Sequence, residues 1–148
     1  MTLAATAAIV LALDLATKSI AASRLRPGHS IPVIGDVLRL TLVHNSGAAF
    51  GLFPGSRGPF VAFSIAAIGL IVLLYFRLPG RSRLELAAMG ALLGGALGNL
   101  VDRLRAGVVV DFIDAGLGTL RWPVFNVADI AVTGGVALLL LGVARHRP

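Results

Sequence analysis

Four apolar runs constrain this chain before any motif does. They extend from about Leu3 to Ala22, Gly58 to Phe76, Glu85 to Leu104 and Asn126 to Ala144. Each approaches the roughly 20 residues that cross about 30 Å of hydrocarbon at about 1.5 Å per residue. Lipid offers the backbone no hydrogen-bond partners, so such runs default to helices, whose N–H and C=O groups pair internally. Composition agrees: 57% of the 148 residues are hydrophobic and 14% charged, against about 25% charged in soluble domains. A chain so poor in charge cannot clothe a water-facing surface. The expected architecture is a single domain over residues 1–148, an all-α membrane protein built as a bundle of four transmembrane helices.

The connections orient the bundle. The first run lacks a basic leader and carries Asp14 and Lys18 in its second half, so it reads as a retained helix and not a cleaved secretory signal. Arg77, Arg81 and Arg83 crowd the link between the second and third runs, and Arg145 and Arg147 crowd the C-terminus. Four crossings put these two regions on one side, which the positive-inside tendency makes cytoplasmic, together with the N-terminus. The connections at about 23–57 and 105–125 then face outward. In Val37–His44, Leu38, Leu40 and Leu42 alternate with Arg39 and Thr41, the period of a strand. Gly35-Asp36 suggests a turn after a short strand at Ile31–Ile34, and Val108–Ile113 is a further β-like run. A small extracytoplasmic β-rich platform is expected. Pro59 falls in the first turn of the second helix, where proline is tolerated. Gly90, Gly94 and Gly98 fall on one face of the third, which suits close approach of a neighbouring helix.

The formal charge of +6 sits mostly in short clusters between apolar runs. That pattern suits anionic lipid headgroups, and no basic stripe interleaved with aromatics points to nucleic acid. Cysteine is absent, which excludes disulfides and thiolate chemistry. His29, His44 and His146 show no ligand spacing, so neither a metal nor another cofactor is expected. Trp122 reads as an interfacial anchor, Tyr75 and Phe76 as residues of the cytoplasmic interface, and Asp114 as a loop carboxylate.

Ionisable groups inside a membrane are costly, about 2.5–3.5 kcal/mol each, and they pair or serve a function. Here they gather at the outer helix ends. Asp14 and Lys18 share a face of the first helix and read first as an ion pair that eases insertion. Asn99, Asp102 and Arg103 form a polar face near the outer end of the third helix, and Asn126 and Asp129 open the fourth. Asp111 lies in the second outer connection, and Asn45 ends the first outer strand. Asp111 and Asp129, on different elements, are placed to meet. Two carboxyls sharing a site do not both ionise readily: the charged one takes a proton from water while the neutral one polarises a carbonyl. Asp129 lies in a helix's first turn, where the dipole favours the anion. Spacing alone leaves proton relay and transport open as well.

The motifs carrying these residues resemble the lipoprotein signal peptidases (signal peptidase II) of bacteria, over nearly the whole chain. Asp14-Leu-Ala-Thr-Lys18 is similar to the family's first motif and Val43-His-Asn-Ser-Gly-Ala-Ala-Phe-Gly51 to its second. Gly98-Asn-Leu-Val-Asp-Arg-Leu104 with Val109-Val-Asp-Phe-Ile113 resembles the third, and Phe125-Asn-Val-Ala-Asp129 the fourth. The resemblance implies an aspartic endopeptidase of the bacterial cytoplasmic (inner) membrane, active at its outer face. It implies a precursor lipoprotein as substrate, cut just before its diacylglyceryl-modified cysteine. It makes Asp111 and Asp129 the catalytic pair, Asn99 and Asn126 the amides flanking them, Asn45, Gly47 and Arg103 substrate-contacting or supporting positions, and Asp14 and Lys18 a supporting polar pair. Membrane lipids are the other expected partners; one chain suffices for the site, so a monomer is expected. The stretch Asp114–Trp122 is less aromatic than the family pattern. Two rivals make different demands: a proton-coupled transporter needs an unpaired Asp14, and a non-enzymatic subunit of a membrane complex tolerates loss of Asp111 and Asp129.

Overall fold

The computed structural model describes residues 1–47, 57–77 and 81–145. In chain order these form α1 (Thr2–Arg24), β1 (Ser30–Ile34), β2 (Leu38–Asn45), α2 (Arg57–Arg77), α3 (Arg83–Ala106), β3 (Val109–Leu117), β4 (Leu120–Arg121) and α4 (Val127–Arg145). Among the described residues, α1, α2 and α3 are long and apolar enough to cross a membrane; the apolar stretch of α4, Val127–Gly142, is shorter. The molecule is thus mostly helical, with a small antiparallel sheet.

Helix α3 is the centre, and α1, α2 and α4 all pack on it. Glycines let the backbones close in. A Cβ at Gly94 would stand 2.6 Å from the Ala7 carbonyl oxygen on α1, and one at Gly95 would stand 2.6 Å from that of Ala128 on α4. A Cβ at Gly98 would land on the Asp14 carboxylate. The α3 termini are well determined. Ser82 accepts the Glu85 N–H at 3.2 Å, while the Glu85 carboxylate accepts the Ser82 N–H at 2.7 Å, a reciprocal cap. At the other end Gly107, at φ 77°, turns the chain straight into β3.

The sheet has the order β1-β2-β3-β4, every pair antiparallel. Cross-strand partners share a face. Ile31 pairs with Leu40, Leu40 with Ile113, Leu38 with Ala115, and Leu117 with Leu120, which makes one face apolar. Ser30 pairs with Thr41, Arg39 with Asp114 and Gly116 with Arg121 on the other. A bulge lets Phe112 and Ile113 both donate to the Phe125 carbonyl. The apolar face then packs Leu40, Leu42, Phe112 and Ile113 against Ala21 and Leu25, capping the end of α1.

The connection between α3 and α4 is more ordered than its sequence suggests. β3 runs on past Ile113 to Leu117 and returns through β4, so Asp114 is not a loop carboxylate. It is a buried strand residue, gripping Arg121 Nε at 2.6 Å and accepting from the Thr41 hydroxyl at 3.0 Å. A charged residue in the middle of a strand hides the alternation until its partner, seven residues on, is seen.

Candidate active site

Five elements deliver the polar residues of the site. α1 supplies Asp14 and Lys18, α3 supplies Asn99, Asp102 and Arg103, β2 ends in Asn45, β3 carries Asp111, and α4 opens with Asn126 and Asp129. Asn126 caps α4: its Oδ1 accepts the Asp129 N–H at 3.0 Å, while Asp129 Oδ2 accepts the Asn126 N–H at 3.1 Å. The cap holds the Asp129 carboxylate in the first helical turn.

Asp111 and Asp129 come together around Asn126. The Asn126 amide donates to Asp111 Oδ1 at 2.6 Å, and Asn45 donates to Asp111 Oδ2 at 2.8 Å. Asn126 is fully buried and Asp111 nearly so, at 2% exposure. Asp129 is half-buried and reaches open space. It lines a cavity of about 420 Å³ with Trp122, Phe125, Ile130, Thr133 and Gly134, whose walls are almost wholly apolar. Burial pushes the Asp111 carboxyl up to about 6; the charge of Asp129 adds to the rise, and the amides of Asn45 and Asn126 oppose it.

Behind the pair lies a relay of fixed dipoles. Asn99 donates to Asp129 Oδ1 at 3.0 Å. Its own Oδ1 accepts from Lys18 Nζ at 2.8 Å and from the Asn126 amide at 3.2 Å, so the amide cannot flip without losing all three contacts. Lys18 is buried, and its ammonium also meets Asp14 Oδ2 at 2.7 Å and Asp102 Oδ2 at 2.9 Å. Asp14 Oδ1 in turn accepts the Ala128 N–H at 2.9 Å, tying α1 to the start of α4. The Asp14–Lys18 pair is therefore more than an intrahelical aid to insertion: both members reach across to the site. Asp102, grouped with its neighbours by spacing but without a role, is the second counter-ion of Lys18 and accepts the Val110 N–H at 3.3 Å.

Arg103 lies over the Phe60 ring, 5.6 Å from its centroid, with Nη1 3.5 Å from Ser64 Oγ. It is within electrostatic reach of Asp129, Asp111 and Asp102. Phe60 and Ser64 are participants that sequence reasoning missed. A lone serine in an apolar run was the available signal, but the serine's hydroxyl also bonds its own helix at the Phe60 carbonyl, an ordinary use. Gly47, at φ 92°, donates its N–H to Asn45 Oδ1 at 2.9 Å and sits against the Phe60 ring, so it aims Asn45 toward Asp111. Residues 48–51 of the second motif lie outside the described residues. Among the described residues no three His, Cys, Asp or Glu side chains are grouped as a metal site would require.

The signal peptidase II family model matches residues 6–145. The chain belongs to the signal peptidase II family. The lipoprotein signal peptidase of Halothermothrix orenii is 43% identical over 133 residues, covering 90% of this chain and 88% of that one. That of Moorella thermoacetica is 44% identical, over 90% of this chain and 86% of its own. Two solved structures of a bacterial membrane enzyme, obtained by the in meso method at 2.3 Å and 1.9 Å resolution, superpose with TM-scores of 0.88 and 0.89 at 33% identity. They cover 97% and 99% of this chain and 88% and 94% of theirs.

Proposed function

We propose that the protein removes signal peptides from diacylglyceryl-modified prolipoproteins, cutting just before the lipidated cysteine, with Asp111 and Asp129 as the catalytic pair. The observation that carries this reading is two carboxyls from different elements joined through one buried residue, Asn126, whose side-chain amide donates to Asp111 and whose backbone N–H donates to Asp129. All four helices cross the bacterial cytoplasmic membrane, both termini are cytoplasmic, and the whole chain acts as one monomeric unit with its site at the outer face.

Charge balance favours a single proton on the pair. Among the described residues, Asp14, Asp102, Asp111 and Asp129 face Lys18 and Arg103 as nearby cations. With both dyad carboxyls ionised the cluster holds four negative charges against two positive ones, which a buried site resists. Asp111, the deeper of the two, keeps the proton. Asp129 carries the charge, supported by a backbone N–H, the Asn99 amide and the helix dipole.

In the reaction Asp129 takes a proton from water, and the oxygen attacks the scissile carbonyl carbon. Asp111 gives its proton to the carbonyl oxygen as the tetrahedral diol forms. The C–N bond then breaks as the amine of the lipidated cysteine takes the proton from Asp129, and the diol returns a proton to Asp111 as its carbonyl reforms. Arg103 and Asn45 hold the substrate backbone beside the pair, and the apolar cavity at Asp129 receives the substrate's apolar side.

The test is a gel-shift assay on purified protein, offered a precursor with and without its diacylglyceryl group. Wild type cleaves only the lipidated form; Asp111→Asn and Asp129→Asn lose at least about 100-fold in rate at unchanged yield and fold. Cleavage that survives either substitution would remove that residue from the pair.

A further inference from the structure

We infer that Phe60 and Ser64 of α2 are positioning residues for substrate binding: they hold the Arg103 guanidinium, and through Gly47 the Asn45 amide, in place beside the dyad. This rests on the proposal that Asn45 and Arg103 hold the substrate backbone.

Among the described residues, Asp111 and Asp129 take their hydrogen bonds from Asn45, Asn99 and Asn126, none of them on α2. What α2 offers is Phe60 and Ser64, four residues apart on one face, and that face meets Arg103 of α3. The Phe60 ring touches two arms of the site at once. The Arg103 guanidinium carbon lies 5.6 Å from the ring centroid, within cation–π range. Gly47 lies directly against the same ring, where a Cβ would collide with it. Gly47 donates its N–H to Asn45 Oδ1 at 2.9 Å, and Asn45 donates to Asp111 at 2.8 Å, so a ring resting on Gly47 fixes that amide as well.

Ser64 forms the other wall of the seat. It is buried, and its single O–H goes to the Phe60 carbonyl at 2.9 Å. Its oxygen is left to accept, and Arg103 Nη1 lies 3.5 Å away. The bond within the helix is an ordinary use of serine and by itself would let alanine serve. The arginine arriving from α3 on the same turn is what alanine would not hold.

The character of the seat suits a binding role. Among the described residues no carboxylate lies within ion-pair distance of Arg103. Its contacts are a ring face, a hydroxyl and the Asn99 carbonyl at 3.4 Å, all neutral, and both hydrogen bonds use Nη1. A guanidinium carries five N–H donors in a fixed fork. Gripped by a carboxylate, it would be neutralised before a substrate arrived. Held by neutral groups, it is fixed in direction and keeps its charge and its other donors for a peptide carbonyl.

The test is a double-mutant cycle in the precursor-cleavage assay, with thermal unfolding followed alongside. Phe60→Leu and Ser64→Ala, each alone, are expected to raise KM for the lipidated precursor about 5-fold at nearly constant kcat. Phe60→Tyr and Ser64→Thr, which keep the ring and the hydroxyl, should restore it. In an Arg103→Gln background the Ser64→Ala effect should fall below about 2-fold, and Phe60→Leu should keep only the share it exerts through Asn45. Equal losses in both backgrounds, or a lower melting temperature with KM unchanged, would overturn the role and leave α2 as packing alone. Labelling with [15N]arginine gives a readout that needs no substrate. The Nε–H resonance missing from Arg103→Gln is that of Arg103, and it should move when Phe60→Leu removes the ring current over it. If wild type cleaves no precursor, the proposed function fails and the resonance decides the seat by itself: a shift in Phe60→Leu supports it, and an unmoved signal refutes it.

Discussion

Asp111 is a carboxyl kept out of water, and its burial has opposite consequences for folding and for chemistry. Its value in the folded chain, about 6, lies above the ordinary 3.8. Between those values the native state binds more proton than the unfolded chain, so this residue's contribution to stability falls as pH rises through that window and stays lost above it. Asp111→Asn should therefore unfold later than wild type above about pH 6, by up to about 3 kcal/mol less the hydrogen bond an amide cannot accept. A denaturant series at two pH values reads this directly, and a variant less stable than wild type at neutral pH would contradict it. In the proposed mechanism the same proton is needed for catalysis. The alkaline limb of kcat/KM should show an apparent pKa no lower than about 6, and that of kcat a higher one once substrate excludes water. A rate flat from about pH 5 to about pH 9 would contradict a shared proton. Lys18 presents the converse case. Its ammonium is in contact with both Asp14 and Asp102. Lys18→Met leaves two buried carboxylates without it and should cost about 3–5 kcal/mol in thermal unfolding, whatever its effect on rate.

At the scale of elements, close packing along α3 is what brings the site together. Gly90, Gly94 and Gly98 read in sequence only as a face for some neighbour; that the neighbour is α1 emerges from the fold. Gly98 does the most specific job, since a methyl there displaces the Asp14 carboxylate that receives the Ala128 N–H. Gly98→Ala should lower activity far more than its single carbon suggests, with a measurable drop in melting temperature. Gly69 of α2 is the control, because a Cβ there meets nothing within 4 Å. Gly69→Ala should be neutral or stabilising by up to about 1 kcal/mol through helix propensity alone. Equal damage from both would show that glycine content, not the α1–α3 approach, is what matters. The helices were legible because apolar runs of membrane length have few other outcomes. The β3–β4 hairpin was not, because Asp114 and Gly116 break the apolar alternation. Asp114 answers Arg121 across the hairpin, and Gly116 is small because a Cβ would stand 2.5 Å from the Leu120 carbonyl oxygen.

In the whole molecule, helices and sheet meet through apolar packing at the end of α1 and through polar contacts at the site. Burial alone would raise the Asp114 carboxyl, but the hydrogen bonds of Arg121 and Thr41 and the charges of Arg121 and Arg39 outweigh it and hold it below the usual range. A depressed carboxyl stabilises above its unfolded value and stops doing so as pH falls through its folded one. Acid should therefore loosen the hairpin, and Arg121→Gln should do so at neutral pH. Limited proteolysis at residues 118–119 would report both, and a variant as resistant as wild type would exclude the clamp. The sequence by itself determined the membrane-length helices, the amphipathic first strand pair and the identity of the polar residues, because hydropathy period and residue chemistry are local properties. Four ordered motifs also pointed to the family. Tertiary structure alone decided that Asn126 bridges the two aspartates, that Lys18 serves Asp14, Asn99 and Asp102 together, and that Phe60 and Ser64 of α2 receive Arg103. Those are distances between side chains up to eighty-four residues apart. No local pattern encodes them, since each depends on how closely the glycines of α3 let its neighbours approach.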